Sequence, residues 1–328
     1  MPKRGLPDQI TYGWRMPMWD PDGKPLGEWL PRVREHLDAL PRHVFQTVWM
    51  SDHLVPGTNW APPHWDTLEC MTALVHFATA YPAYRYGQIV LGNSYRPPAL
   101  LAKMFATTAA LTGARLICGI GAGWMESEYR MYGYEYPVPK VRIEQLDDAM
   151  NILRRMWTEA PATYQGRHLS IDGAYAEPRP NPRPILMIGG SGEQLTLRVV
   201  ARHAEWWNAS GSTPEEVARK RGVLAVHCAR VGRDVDDILV NWQCQCVAIA
   251  DSDAEAQRLA ETSELHRRGP DGSVVGSPER VRDRLQGMAD AGVRDFILRF
   301  ADFPRLDGAL RFAQEIAPKL QARGVKTA

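Results

Sequence analysis

The chain is 328 residues long and 45% hydrophobic, with 39 Lys and Arg against 38 Asp and Glu spread along its length, for a formal charge of +1. That is enough apolar residue for a sizeable core. There is no basic run of the kind a nucleic acid or an anionic membrane needs, and no apolar window approaches a membrane span. Residues Met1 to Gly5 have no signal-peptide core behind them, so the sequence reads as that of a soluble, cytoplasmic protein.

Extended and helical patterns alternate nearly from end to end. The first strand is expected over residues 10–14, followed by a loop rich in Pro and Gly and a helix over 28–40. The second, 45–50, ends in Ser51, Asp52 and His53. After a loop at 56–65, Asp66 is suited to cap a helix reaching about Thr79. The third strand, 86–91, runs into Gly92 and Asn93, and its helix begins near Pro97, where proline suits the first turn. The fourth, 116–120, breaks at Gly121, Ala122 and Gly123 and passes into an acidic helical start at 124–130; helix resumes over 141–157. Residues 160–184 read as a short hairpin with a Pro-rich return, inserted into the main fold.

The fifth strand, 185–188, ends in Gly189, Gly190, Ser191 and Gly192, with a helix to His203. A short sixth lies at 205–208, then a helix over 213–231, a seventh strand over 238–250 and a helix over 252–265. A loop at about 266–277 precedes a helix over 278–291, whose Ser-Pro-Glu start is a capping signal. The eighth strand, 295–300, is followed by a last helix over 305–322. Of the five cysteines, Cys244 and Cys246 sit two apart in the seventh strand, roughly 6.5 Å apart along the chain with parallel side chains. That geometry suits buried reduced thiols better than a disulfide. No Cys or His cluster has metal spacing, and no metal site is expected.

Eight extended segments separated by helices is the count of a (β/α)8 TIM barrel, an α/β fold, here a single domain over 1–328 with insertions. A doubly wound sheet competes, although it would not normally need eight repeats with so few long gaps. Barrel sites lie at the C-terminal ends of the strands, and every polar or glycine cluster noted above falls at such an end.

At the second tip, His53 can move a proton near neutral pH and Asp52 can accept a hydrogen bond from a ligand N–H. The same two residues would equally serve as a loop cap and a satisfied structural histidine. The apolar end of the third strand could be a wall for a flat ring, or ordinary core. Gly189, Gly190 and Ser191, between a strand and a helix, free backbone N–H groups to surround a phosphate.

Together these stretches resemble the luciferase-like monooxygenase superfamily, and most of all its coenzyme F420-dependent branch. The resemblance is carried by Trp49-Met50-Ser51-Asp52-His53, by Leu91-Gly92-Asn93-Ser94-Tyr95-Arg96, by Gly119-Ile120-Gly121-Ala122-Gly123-Trp124 with Glu128-Tyr129, by Ile188-Gly189-Gly190-Ser191-Gly192, and by Val275-Gly276-Ser277-Pro278-Glu279. It implies a luciferase-like barrel holding F420, or alternatively FMN, at the strand C-termini, with a non-prolyl cis peptide at about Ile89-Val90 pressing on the ring beside Leu91. It also implies that Asp52 bonds the ring system and His53 donates or accepts the proton. Gly121, Ala122, Gly123 and Glu128 would lie beside the ring and side chain, and Gly189, Gly190 and Ser191 would hold the phosphate. The glutamate that acts as an acid in the family's sugar-phosphate dehydrogenases has no secure counterpart, because Trp124 and Met125 stand there and Glu126 lies just beyond.

The reading that follows is hydride transfer between C5 of F420 and a small organic substrate, with His53 passing the proton. Its rivals are an oxygenase using reduced FMN from a separate reductase, a cofactor carrier without chemistry, and a barrel binding a sugar phosphate. A homodimer is implied by resemblance. Trp14, Trp19, Trp60, Trp65, Trp124 and Trp207 are expected to give the pocket an aromatic rim.

Overall fold

The computed structural model describes residues 9–57, 61–209 and 213–322. Its centre is a closed ring of eight parallel strands: β1 (Thr11–Arg15), β2 (Phe45–Met50), β3 (Arg85–Gln88), β4 (Leu116–Gly121), β5 (Ile185–Gly189), β6 (Trp206–Ala209), β7 (Leu239–Gln243) and β8 (Val293–Leu298). Each pairs with its neighbour in chain order, and β8 closes the ring on β1, with Thr11 opposite Asp295 and Trp14 opposite Leu298. Parallel neighbours require a crossover between them, and helices such as Leu26–Ala39, Cys70–Ala80, Pro98–Thr112 and Pro139–Thr158 supply it.

The interior of the ring is filled by a small apolar cluster that includes Trp49, Ile117, Met187, Trp206, Leu239 and Ile297. Trp49 fits because two strands withhold side chains from it. A Cβ on Gly13 would stand 2.2 Å from Trp49 Nε1, and one on Gly87 would stand 2.3 Å from Trp49 Cζ3. The main core lies between ring and helices, where Tyr12, Phe45, Phe296 and Phe312 meet.

Several expected elements are revised. The third strand is not continuous over 86–91: β3 stops at Gln88, the Ile89–Val90 peptide is cis, and Leu91–Gly92 resumes pairing against β4. The helix Cys70–Ala80 is capped by Glu69, which accepts from the N–H groups of Met71 and Thr72, whereas Asp66 comes too early and accepts from Leu26 N at 2.8 Å. The seventh segment, expected over 238–250, is two strands. β7 ends at Gln243, and Cys246–Ile249 leaves the ring to pair in parallel with Ser273–Gly276. The loop expected at 266–277 therefore contains a strand.

Both Cys244 and Cys246 are buried free thiols. At the C-terminus, the helix expected over 305–322 is Asp307–Arg311 continued by a π turn, Phe312–Ile316, and a 3₁₀ turn, Ala317–Lys319. Pro318 has no N–H to continue an α ladder there.

The insertion is the antiparallel hairpin Ala162–Gln165 and Ser170–Ala174. Asp148, on Pro139–Thr158, fastens its turn by accepting from the N–H groups of Arg167, His168 and Leu169 at 3.2, 2.7 and 3.1 Å. Among the described residues no helix is long and apolar enough to cross a membrane.

Candidate active site

The chain after β2 turns over the mouth of the barrel, and two carboxylates hold it there, one its own and one from another element. The first is Asp52 itself. Its Oδ2 accepts from Gly92 N and Arg96 Nη1, and its Oδ1 from Arg96 Nη2, all at 2.9 Å, with the Asp52 side chain wholly out of solvent. Arg96 also pairs with Glu69, the cap of Cys70–Ala80. Burial works against the Arg96 charge, but the bonds to Asp52 and Glu69 outweigh it and raise the guanidinium pKa. Asp52, expected to bond a ring, lines the cavity described below, and its bonds to Gly92 and Arg96 tie the second tip to the chain beyond the cis peptide.

The second carboxylate is Glu128, fully buried on Glu126–Met131. Its Oε1 accepts from Leu54 N at 2.6 Å and Val55 N at 3.3 Å, while its Oε2 takes Tyr95 Oη at 2.8 Å and His53 Nδ1 at 3.0 Å. Burial alone would raise the Glu128 pKa, yet the bonds from His53, Tyr95 and Leu54 lower it below the ordinary value. An ionised carboxylate at Nδ1 makes that nitrogen the N–H donor and presents Nε2 as the basic atom. Glu128, expected beside the ring and side chain, therefore acts on His53. Edge-on contacts to Trp19, at 6.2 Å between ring centroids, and to Trp124, at 5.8 Å, fix the plane of the imidazole.

Asp52, His53 and Glu128 open onto a cavity of about 140 Å³ whose lining includes Ile89, Val90 and Leu91. Gly123, Gly189 and Gly190 line it from the other strands. Val90 rises between two of the glycine turns: a Cβ on Gly189 would lie 2.7 Å from Val90 Cγ1, and one on Gly121 2.8 Å from Val90 Cγ2. The glycines after β4 and β5 thus allow an apolar floor to come up between them, flanked by backbone alone. Gly121 and Ala122 lead into that lining from β4, and Ser191 follows Gly190 on the turn after β5.

The aromatic rim is smaller than expected. Trp14 is buried against His36 at 5.2 Å, Trp207 is buried and donates Nε1–H to Gly190 O at 2.8 Å, and Trp65 packs where a Cβ on Gly23 would fall. Trp60 lies outside the described residues. Trp19 and Trp124 remain at the site. Glu126 is exposed and pairs with Arg130 at 2.7 Å, away from the cavity lining.

Sequence reasoning missed Asn208, at the end of β6, which lines the cavity and donates Nδ2–H to Asn241 Oδ1 at 2.6 Å. Asn241 in turn donates to Asp295 Oδ1, and Thr11 Oγ1 donates to Asp295 Oδ2, each at 2.5 Å, so a polar chain crosses β6, β7, β8 and β1. A lone Asn, an Asn and an Asp in otherwise apolar strands were the signal.

The luciferase-like monooxygenase family model matches residues 14–271. An F420-dependent glucose-6-phosphate dehydrogenase of Microbacterium testaceum is 26% identical over 314 residues, covering 85% of this chain and 90% of that protein. An FMNH2-dependent dimethylsulfone monooxygenase of Pseudomonas fluorescens is 22% identical over 253 residues, 67% of each chain. Among solved structures, an F420-dependent secondary alcohol dehydrogenase in complex with an F420-acetone adduct superposes with TM-score 0.77 at 16% identity, covering 96% of this chain and 100% of that one. A long-chain alkane monooxygenase gives the same TM-score, 0.77, at 14% identity, covering 98% of this chain and 93% of that one.

Proposed function

Because the chain belongs to the luciferase-like monooxygenase family and is an oxidoreductase of that fold, we propose that it uses F420 to transfer a hydride to or from a small organic substrate, with His53 moving the proton. The observation that carries this reading is the buried Glu128 carboxylate on His53 Nδ1, 3.0 Å away, at the rim of a cavity floored by Ile89 and Val90. The residues present fit a planar tricycle: an apolar floor, glycines on both flanks where a side chain would collide with Val90, and polar groups at the edge. When bound, F420 supplies a carbon that donates or accepts hydride.

The chain's own part is to place, desolvate and proton-balance. Ile89 and Val90 would bear the ring from below, and the turns at Gly121–Gly123 and Gly189–Ser191 would run along its edge and its phosphate. Glu128 would keep His53 in one tautomer, with Nδ1 as the N–H donor, so that Nε2 can take or give a proton at the substrate oxygen. Asp52 and Arg96 lock the tip that carries His53 and need no contact with substrate. Sugar-phosphate oxidation is not part of the proposal, because Trp124 stands where the acid would be needed and Glu126 is engaged by Arg130.

Titrating the apoprotein with F420 and with FMN, following cofactor fluorescence, tests the choice. F420 is expected to bind and FMN to bind weakly. Tight FMN binding without F420 binding would transfer the proposal to an oxygenase fed by a separate reductase, a reading that the dimethylsulfone monooxygenase relative keeps in view. With cofactor bound, His53→Ala is expected to depress turnover of alcohols or enones while leaving cofactor affinity nearly intact. Unchanged turnover would remove His53 from the mechanism.

A further inference from the structure

A second pocket opens at the barrel mouth, on the β1 and β8 side. It is small, about 40 Å³, and combines apolar walls from Trp14, Met16 and Phe300 with three arginines, Arg15, Arg268 and Arg299. That volume holds a few waters, or a single head group, but not a sugar ring.

The register explains how the cations meet. Trp14 lies opposite Leu298 across the β1–β8 pair, so the residues that follow are both arginines, Arg15 at the end of β1 and Arg299 just past the end of β8. Like charges side by side on neighbouring strands repel. Arg299 donates Nε–H to the Gln245 carbonyl at 3.1 Å, and Arg268 has Glu264 Oε2 at 3.7 Å from its Nε.

Arg15 is different. It is 8% exposed, and among the described residues it donates no side-chain hydrogen bond and meets no carboxylate. Burial and the neighbouring Arg299 both lower its pKa, and burial pushes Arg299 down to about 10. The Arg15 guanidinium opens on this pocket from a largely buried residue, and a matching oxyanion would give it two parallel N–H bonds.

The pocket also has a direction. Its wall includes Ser51 and Trp19, and Trp19 presents an edge to His53 at 6.2 Å. The glycine turn after β5 lies across the ring from β1, so an anion held there and an anion held at Arg15 would belong to different molecules.

We propose that this pocket binds the oxyanion head group of the substrate, a carboxylate, sulfonate or phosphate held between Arg15 and Arg299, with the carbon skeleton passing Trp19 to reach His53. The anion site itself stands on the arginines alone. Only the path to His53 rests on the catalytic reading above.

The test uses the full-length apoprotein, with no cofactor, so that its failure is separate from a failure of F420 binding. Sodium acetate, sulfate and phosphate are titrated at an ionic strength fixed with chloride, by calorimetry and by melting temperature, into wild type, Arg15→Met and Arg299→Gln. Wild type is expected to show saturable binding of at least one anion with a matching rise in melting temperature. Both variants are expected to bind at least tenfold more weakly and to lose that rise. Preference for acetate marks an organic acid as substrate, and preference for phosphate marks a phosphorylated one. No saturable binding by wild type, or equal affinity in Arg15→Met, overturns the proposal. Should Arg15→Met fail to fold, equal affinity in Arg299→Gln does the same.

Discussion

Replacing Glu128 by Gln separates holding the fold from holding the proton. Oε1 of Glu128 faces the backbone N–H groups of Leu54 and Val55, which cannot turn away, so the new amide must keep its carbonyl there. The amide nitrogen then takes the place of Oε2, next to His53 Nδ1 and Tyr95 Oη. Tyr95 can rotate its hydroxyl and accept. His53 can satisfy the amide only by making Nδ1 an acceptor, which moves its proton to Nε2 and leaves no base facing the cavity. Every buried group stays hydrogen-bonded, so the expected loss of stability is no more than about 1–2 kcal/mol. The catalytic loss is larger, about 10²–10⁴-fold in turnover or about 3–5 kcal/mol of barrier, as for a histidine held in the wrong tautomer. Nitrogen NMR of the imidazoles, assigned with His53→Ala, reads the tautomer directly, and turnover with bound cofactor reads the consequence. A Glu128→Gln protein with Nδ1 still protonated, or with wild-type turnover, would refute this account of the pair.

Two further predictions concern the barrel interior. Asp295 is wholly buried, and its pKa is raised from 3.8 to about 6 by burial, against the lowering effects of Thr11, Arg85 and Asn241. A carboxyl that binds its proton more tightly when folded stabilises the fold below its ordinary pKa and loses that contribution as pH rises from 3.8 through about 6, here about 3 kcal/mol in all. Glu69 and Glu128, both lowered, act in the opposite sense and lose stability on acidification, so the informative quantity is the difference between wild type and Asp295→Asn. The variant should gain on wild type from pH 4 to pH 6, measured by denaturant unfolding, and a parallel pair of curves would rule the assignment out. The second is Gly13→Ala, whose Cβ would meet Trp49 Nε1 at 2.2 Å and Thr47 O at 2.9 Å. It should destabilise by about 2 kcal/mol or more, with partial recovery in Gly13→Ala/Trp49→Phe; additive costs in the double variant would show that the indole is not what excludes the methyl group.

How far the sequence reaches depends on whether a feature is local. Strand and helix order follows from alternating apolar runs and turn residues, and the glycines after β4 and β5 mark the strand ends because a tight approach there forbids any side chain. The second tip is legible for the same reason: an apolar strand that stops at Ser51-Asp52-His53 must bring polar groups to a mouth. What those groups bond to is not local. Gly92 and Arg96 reach Asp52 only after β3 is laid beside β2, and Glu128 reaches His53 only when β4 is added. A carboxylate read in isolation looks available to a ligand, and ring closure commits it to the protein. The split of the seventh segment was hidden in a related way. Residues 238–250 hold no Gly or Pro, and only Gln243 and Gln245 flank Cys244 between the apolar runs, so no turn residue marks a break, and the departure of Cys246–Ile249 from the ring is set by its pairing with a strand more than twenty residues on.

The charge balance of the barrel mouth divides it into two unlike halves. Over β2, β3 and β4, each buried carboxylate has fixed donors: Gly92 and Arg96 for Asp52, backbone amides with Tyr95 and His53 for Glu128. That half is electrically finished, and what it offers a bound molecule is an apolar floor and one imidazole. Over β1 and β8 the balance is left open, with two guanidiniums on adjacent strands and no carboxylate of the described chain between them. Removing the positive charge at Arg15 would relieve a repulsion, so folding alone gives no reason for an arginine there in place of a methionine of similar reach. The half of the mouth that the fold leaves unbalanced is therefore the half in which, on the proposals made here, a substrate's own charge would determine selection, while the balanced half would set orientation and proton transfer.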